Sequence, residues 1–146
     1  MVEETIPKFT GDIRQTAPLY SALKIQGKRL YEHAREGTAT EDMAKTRTIS
    51  IKSLELLDFS PWHDEMTADD AIPETPSFKI RVRCGGGTYI RSLIRDIGRS
   101  LDSAACMVTL IRSEQRGFIL GQPNVLEMEE LNLVNIKKVL SNPDAN

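Results

Sequence analysis

Residues Cys84-Gly85-Gly86-Gly87-Thr88-Tyr89-Ile90-Arg91-Ser92-Leu93-Ile94-Arg95-Asp96-Ile97-Gly98 constrain the chain most, because two different hydrophobic periods meet there across three glycines. Before the glycines, Phe78, Ile80, Val82 and Cys84 alternate with Lys79, Arg81 and Arg83, the period of a strand with one buried face. After them, Ile90, Leu93, Ile94, Ile97 and Leu101 recur at helical spacing, with Thr88 placed as N-cap. A strand must therefore turn sharply into an amphipathic helix. Tyr89 and Arg91 leave the first helical turn beside permissive backbone, where amide donors point outward and favour a phosphate or carboxylate. A tight turn with no ligand would carry the same glycines, so both readings stand at this stage. A nucleotide-binding P-loop does not, since the closing Lys-Ser/Thr is missing.

The rest of the chain reads as α+β, with a mixed, mostly antiparallel sheet flanked by helices, and residues 1–146 as a single partial domain. Met1 to Ala17 shows little periodicity and reads as irregular. Leu19 to Ile25 suggests a short strand, Gln26-Gly27-Lys28 a turn, and Leu30 to Arg35 a short helix stopped by Gly37. Thr46 to Phe59 predicts a long strand with a bulge near Leu54. Residues 58–76 form an acidic, proline-containing segment, expected as a surface insertion between two strands. Cys106 to Arg112 and Gly117 to Leu120 suggest further strands, Met128 to Leu140 a helix, and 141–146 a polar tail.

Charge is unevenly placed. The net charge is -2 over 146 residues, yet Ser77 to Arg116 holds eight basic and three acidic residues, or +5. Asp58 to Pro76 carries six acidic residues and no Lys or Arg. A basic face within an acidic chain is compatible with a phosphate-rich partner and equally with an ordinary solvated surface. Cys84 and Cys106 lack the neighbours of a tetrahedral zinc site, so no metal is expected, and Cys84 reads as a reduced, buried thiol of an intracellular protein. No apolar run reaches membrane-spanning length, and no signal or transit segment opens the chain, so no membrane partner is expected.

Two separated blocks resemble one family. Gly11-Asp12-Ile13-Arg14-Gln15-Thr16-Ala17-Pro18-Leu19-Tyr20-Ser21-Ala22-Leu23-Lys24, followed by Gly27 to Gly37, is similar to the middle of the TruB-type tRNA pseudouridine-55 synthases. The glycine junction is similar to that family's later catalytic motif. The triple glycine, the acidic insertion and Leu110-Ile111-Arg112 resemble the fungal members most. Together these cover about residues 9 to 120, in the family's order.

The resemblance implies an isomerase that converts a uridine of the tRNA T-arm to pseudouridine. It would need no cofactor and would act as a monomer when full length, with tRNA, and also mRNA, as RNA partners. It implies that Tyr89 contacts the extruded uridine and that Arg91 pairs with the catalytic aspartate. Leu110 and Arg112 match pocket positions. Lys24, Lys28, Arg29 and Arg35 surround the first block and would meet RNA phosphates, unless they form a solvated hairpin. Tyr31 reads as core, His33 as a partly exposed helical histidine, and His63 has no role. The family's nucleophilic aspartate belongs to an earlier Gly-Thr-Leu-Asp-Pro-type motif that no residues here match, and neither Asp12 nor Asp96 inherits it. The chain is therefore expected to be the C-terminal half of a synthase catalytic domain, inactive alone, with a non-catalytic RNA-binding remnant as the alternative. Nucleus, cytoplasm and mitochondrion are not distinguished.

Overall fold

The computed structural model describes residues 2–60, 76–122 and 125–141. These divide into two compact units, Met1–Met107 and Val108–Asn146. Most of the acidic segment and nearly all of the polar tail lie outside the described residues.

In the first unit a short helix α1 (Val2–Thr5) and a 3-10 turn (Ile6–Phe9) precede strand β1 (Gly11–Thr16). A minimal hairpin follows, β2 (Lys24–Ile25) and β3 (Lys28–Arg29), running directly into α2 (Leu30–Arg35). The long β4 (Thr46–Ser60), β5 (Ser77–Cys84) and α3 (Ile90–Ser100) complete it. The sheet has the order β1-β4-β5, and both pairings are antiparallel. The α+β class with a mostly antiparallel sheet is thus the observed one.

Helix α3 lies on one face of this sheet because its apolar stripe matches the sheet's. Leu93 and Ile97 bury completely against Ile49 and Ile51, and Ile13, Leu54, Ile80, Val82 and Cys84 close around them. Each such aliphatic side chain removed from water contributes roughly 1.5–3 kcal/mol. On β4 the inward residues do not keep a strict period of two. Register shifts between Ile51/Ser53 and Leu56/Asp58 insert one extra residue each, so the inward series reads 49, 51, 54, 56 and then 59 against Phe78. The bulges carry Leu54 and Leu56 onto the same face as Ile51. Ser60 pairs with Ser77, so the acidic segment joins two antiparallel strand ends.

Two expectations change, and the expected turn is present. Gly11–Thr16 is a strand, not an irregular segment: its inward positions are Ile13 and Gln15, and a polar residue at an inward position erases the alternation. Leu19 to Leu23 is not a strand, since β2 begins only at Lys24. The turn at Gln26 (φ 50°) and Gly27 (φ 86°) places two successive residues at positive φ, the geometry that closes a two-residue hairpin.

The second unit holds a small hairpin, β6 (Glu114–Gln115) with β7 (Phe118–Ile119), a 3-10 turn (Met128–Glu130) and helix α4 (Leu133–Ser141). Cys106 to Arg112 forms no strand, because it has no pairing partner among the described residues. The expected helix from Met128 is interrupted at Leu131, where the backbone turns extended. None of this unit's described residues is buried; Ile111, Leu133, Val134 and Leu140 are all exposed.

Candidate functional site

The junction between β5 and α3 is held from two sides. Gly85 N–H donates to the Ser50 carbonyl at 2.8 Å, fixing the last residue of the strand extension to β4. Gly87 sits at φ +82°, a conformation that favours glycine. Thr88 is not the N-cap: its hydroxyl turns back to donate to the Gly85 carbonyl at 2.9 Å, a local acceptor inside the turn. Tyr89 occupies the cap position with extended backbone and no capping side chain of its own.

What caps the junction comes from β1. Gln15 is only 3% exposed, and its side-chain amide closes both backbone groups of Tyr89: Oε1 accepts from Tyr89 N–H at 2.8 Å, and Nε2 donates to the Tyr89 carbonyl at 3.1 Å. One turn on, the Ser92 hydroxyl donates to the Thr16 carbonyl at 2.8 Å. Strand β1 is thereby bonded to the first turn of α3 at three points, across more than seventy residues of sequence. The Tyr89 amide is consequently taken by Gln15 and is not an open anion donor, which corrects the expectation from the glycine pattern.

Tyr89 is half-buried and Arg91 exposed. Arg91 Nη2 donates to the Tyr20 carbonyl at 2.7 Å, bringing the first block of the sequence against the second. The Tyr20 residue is 56% exposed. One N–H of five on the guanidinium is used in that bond, leaving a fork that suits a carboxylate. The result is two tyrosines and an arginine, one of them pinned by a buried amide. Sequence reasoning overlooked both Gln15 and Tyr20. The usable signal was that each lies in the first matching block, and that a glutamine two positions after an inward isoleucine shares its face.

The hairpin and α2 form a second feature. Leu30 is completely buried, and Leu30 N–H and Tyr31 N–H donate to the Leu23 and Ser21 carbonyls. His33 is buried, not partly exposed: Nε2 lies 3.3 Å from the Ile25 carbonyl and Nδ1 3.3 Å from the Thr38 hydroxyl. It ties helix to hairpin. Lys24, Lys28, Arg29 and Arg35 are all exposed. Lys28 pairs with Glu36 at 3.1 Å, and the Arg35 guanidinium lies 5.3 Å from the half-buried Tyr31 ring. Lys24 and Arg29 make no side-chain ion pair among the described residues.

In the second unit Leu110 is 51% exposed and Arg112 donates to Gln115 Oε1 at 2.6 Å. Cys84 is half-buried and Cys106 exposed, both as free thiols. Among the described residues no three of His, Cys, Asp and Glu assemble as a metal site, and no helix is long and apolar enough to cross a membrane.

Residues 1–90, which include the hairpin, the whole three-stranded sheet and Tyr89, match the sequence profile described as TruB family pseudouridylate synthase (N terminal domain). The chain is 42% identical over 129 residues to tRNA pseudouridine synthase B of Geobacillus thermodenitrificans, covering 88% of this chain and 39% of that protein. It is 39% identical over 140 residues to the protein of the same name from Francisella philomiragia, covering 96% and 40%. Against Pseudouridylate synthase TRUB1 of Mus musculus it is 40% identical over 121 residues, covering 83% and 31%. The chain thus spans about two-fifths or less of the length of these relatives. With a profile match across the sheet and relatives at this identity, the chain belongs to the TruB family of pseudouridylate synthases.

Proposed function

We propose that the protein carrying this chain is a tRNA pseudouridine synthase that isomerises uridine 55 in the T-arm, and that residues 1–146 supply one side of its active site. The observation that carries this reading is the Tyr89–Arg91 pair at the head of α3, with Tyr89 fixed by a buried glutamine and Arg91 by the Tyr20 carbonyl. The reaction breaks the N-glycosidic bond, turns the base and joins ribose C1′ to base C5, with the C5 hydrogen released and the freed N1 protonated. The base must first leave the helical stack, which calls for an aromatic contact in a fixed place. Tyr89 supplies such a face, and Arg91 has donors left to orient a carboxylate.

That carboxylate comes from the family's aspartate motif, which no residues here match. Residues 1–146 alone are therefore inactive on this reading. Lys24, Lys28, Arg29 and Arg35 meet the phosphate backbone. The same site would accept mRNA uridines presented in a similar stem-loop. The protein works inside the cell, as a monomer and without cofactor.

Release of tritium from C5-labelled uridine in unmodified tRNA tests this. The protein carrying the aspartate motif should release it, and its Arg91→Ala variant should do so more slowly by on the order of a hundredfold or more. Tight tRNA binding with no release by the longest natural form would replace the enzyme with an RNA-binding remnant.

A further inference from the structure

Three arginines, Arg91, Arg95 and Arg99, follow one another at i, i+4 and i+8 on α3, so they share one face at intervals of about 6 Å. Like charges at this spacing disfavour an isolated helix. Arg91 belongs to the site already described. Arg95 and Arg99 instead line an open groove of about 660 Å³, together with Arg14, Thr16 and Lys45. Two carboxylates also line it and offset part of its charge. Asp96 is bonded to Arg95 at 2.9 Å, and Asp42 is an exposed group whose ionised form is favoured by hydrogen bonds from the Thr40 side chain and its own backbone. The lining carries four cations against two anions.

The cations are also differently engaged. Arg95 is held by Asp96 and the Thr16 carbonyl. Arg14, Lys45 and Arg99 make no side-chain hydrogen bond or ion pair among the described residues. A helix C-terminus favours a cation at Arg99, but that field does not reach β1 or the turn before β4, where Arg14 and Lys45 stand. Three unpaired cations from separate segments around one concave surface match a polyanion with several phosphates better than a single small ion.

We propose that this groove receives RNA backbone phosphates continuing from the nucleotide held at Tyr89 and Arg91, with Arg95 and Arg99 extending the Arg91 row and Arg14 and Lys45 completing the contact. The proposal rests on the reading of that site as RNA-binding, and adds residues that neither matching block assigns to RNA. Each phosphate contact releases counterions, so each cation removed should flatten the salt dependence of binding by about one in the log–log slope.

The test is fluorescence anisotropy of the protein carrying this chain with a labelled RNA stem-loop over a salt series. The double variant Arg14→Gln/Arg99→Gln should weaken binding about tenfold or more and reduce the slope by about two. The double variant Lys137→Gln/Lys138→Gln removes the same charge from α4 and should stay within about twofold. Since Arg14 and Arg99 are exposed and unpaired, thermal unfolding should be unchanged, and Arg99→Lys should recover most of the affinity. Equal losses from both double variants, an unchanged slope for the first, or no RNA binding at all would overturn the groove. Loss of uridine isomerisation in the protein carrying this chain, with groove-dependent RNA binding intact, would overturn the proposed function and leave the groove standing.

Discussion

Gln15 is the residue on which the geometry of the candidate site depends most. A buried amide that both accepts from and donates to one residue's backbone is matched by no other side chain of that size. Glutamate keeps the acceptor and sets an anion against the Tyr89 carbonyl, and leucine keeps the volume and strands the Tyr89 N–H, while the carbonyl keeps its bond from Leu93 N–H at 3.0 Å. Leaving such a group unpartnered costs roughly 1–3 kcal/mol. Gln15→Leu should lower stability by about that amount in urea unfolding, with Gln15→Glu at least as damaging near neutral pH. Arg91 behaves differently, because it is exposed and holds only one carbonyl. In the protein carrying this chain, Arg91→Ala should leave the unfolding midpoint nearly unchanged and reduce turnover by on the order of a hundredfold or more, the scale of a lost preorganised donor. Arg91→Lys should recover little, because an ammonium cannot present the fork. Steady-state tritium release would read both.

At the scale of elements, α3 must approach the chain that follows it very closely. A Cβ built on Gly98 would lie 2.6 Å from the Ala105 nitrogen and 2.8 Å from its Cβ. Alanine would gain about 0.5–1 kcal/mol in helix propensity, but overpacking against backbone costs typically 1–3 kcal/mol, so the clash decides the sign. Gly98→Ala should destabilise, measured by thermal unfolding. β5 and α3 were legible in the sequence because their periods are clean and their inward positions, buried Ser92 apart, are apolar or glycine. β4 was legible as a strand, although its two bulges, which set which leucines face the core, leave only a broken alternation. β1 was not legible: Gln15 earns its inward place through Tyr89, a partner 74 positions away, and no local pattern reports that. For the same reason Tyr89 and Arg91 could be picked out, whereas what holds them could not. The short hairpin before α2 was half legible, its turn from Gln26-Gly27 and its helix from Leu30 to Arg35.

At the scale of the molecule, the first unit has a sheet and helix core, while the second buries none of its described residues and shows Ile111, Leu133, Val134 and Leu140 to solvent. Large apolar side chains left exposed in such number ordinarily meet a partner. Residues 1–146 made alone should therefore bind a hydrophobic dye under native conditions, and a dye-silent, cooperatively unfolding monomer would contradict that expectation. The central claim is narrower: the Tyr89–Arg91 pair of a TruB family member is one side of a uridine-isomerising site. It is tested most directly by tritium release from C5-labelled tRNA, comparing the protein that carries the aspartate motif, its Arg91→Ala variant and residues 1–146 alone. The account predicts release at the T-arm uridine by the first, release slower by on the order of a hundredfold or more by the Arg91→Ala variant, and none by residues 1–146 alone; undiminished release by the Arg91→Ala variant, or release by residues 1–146 alone, would contradict it.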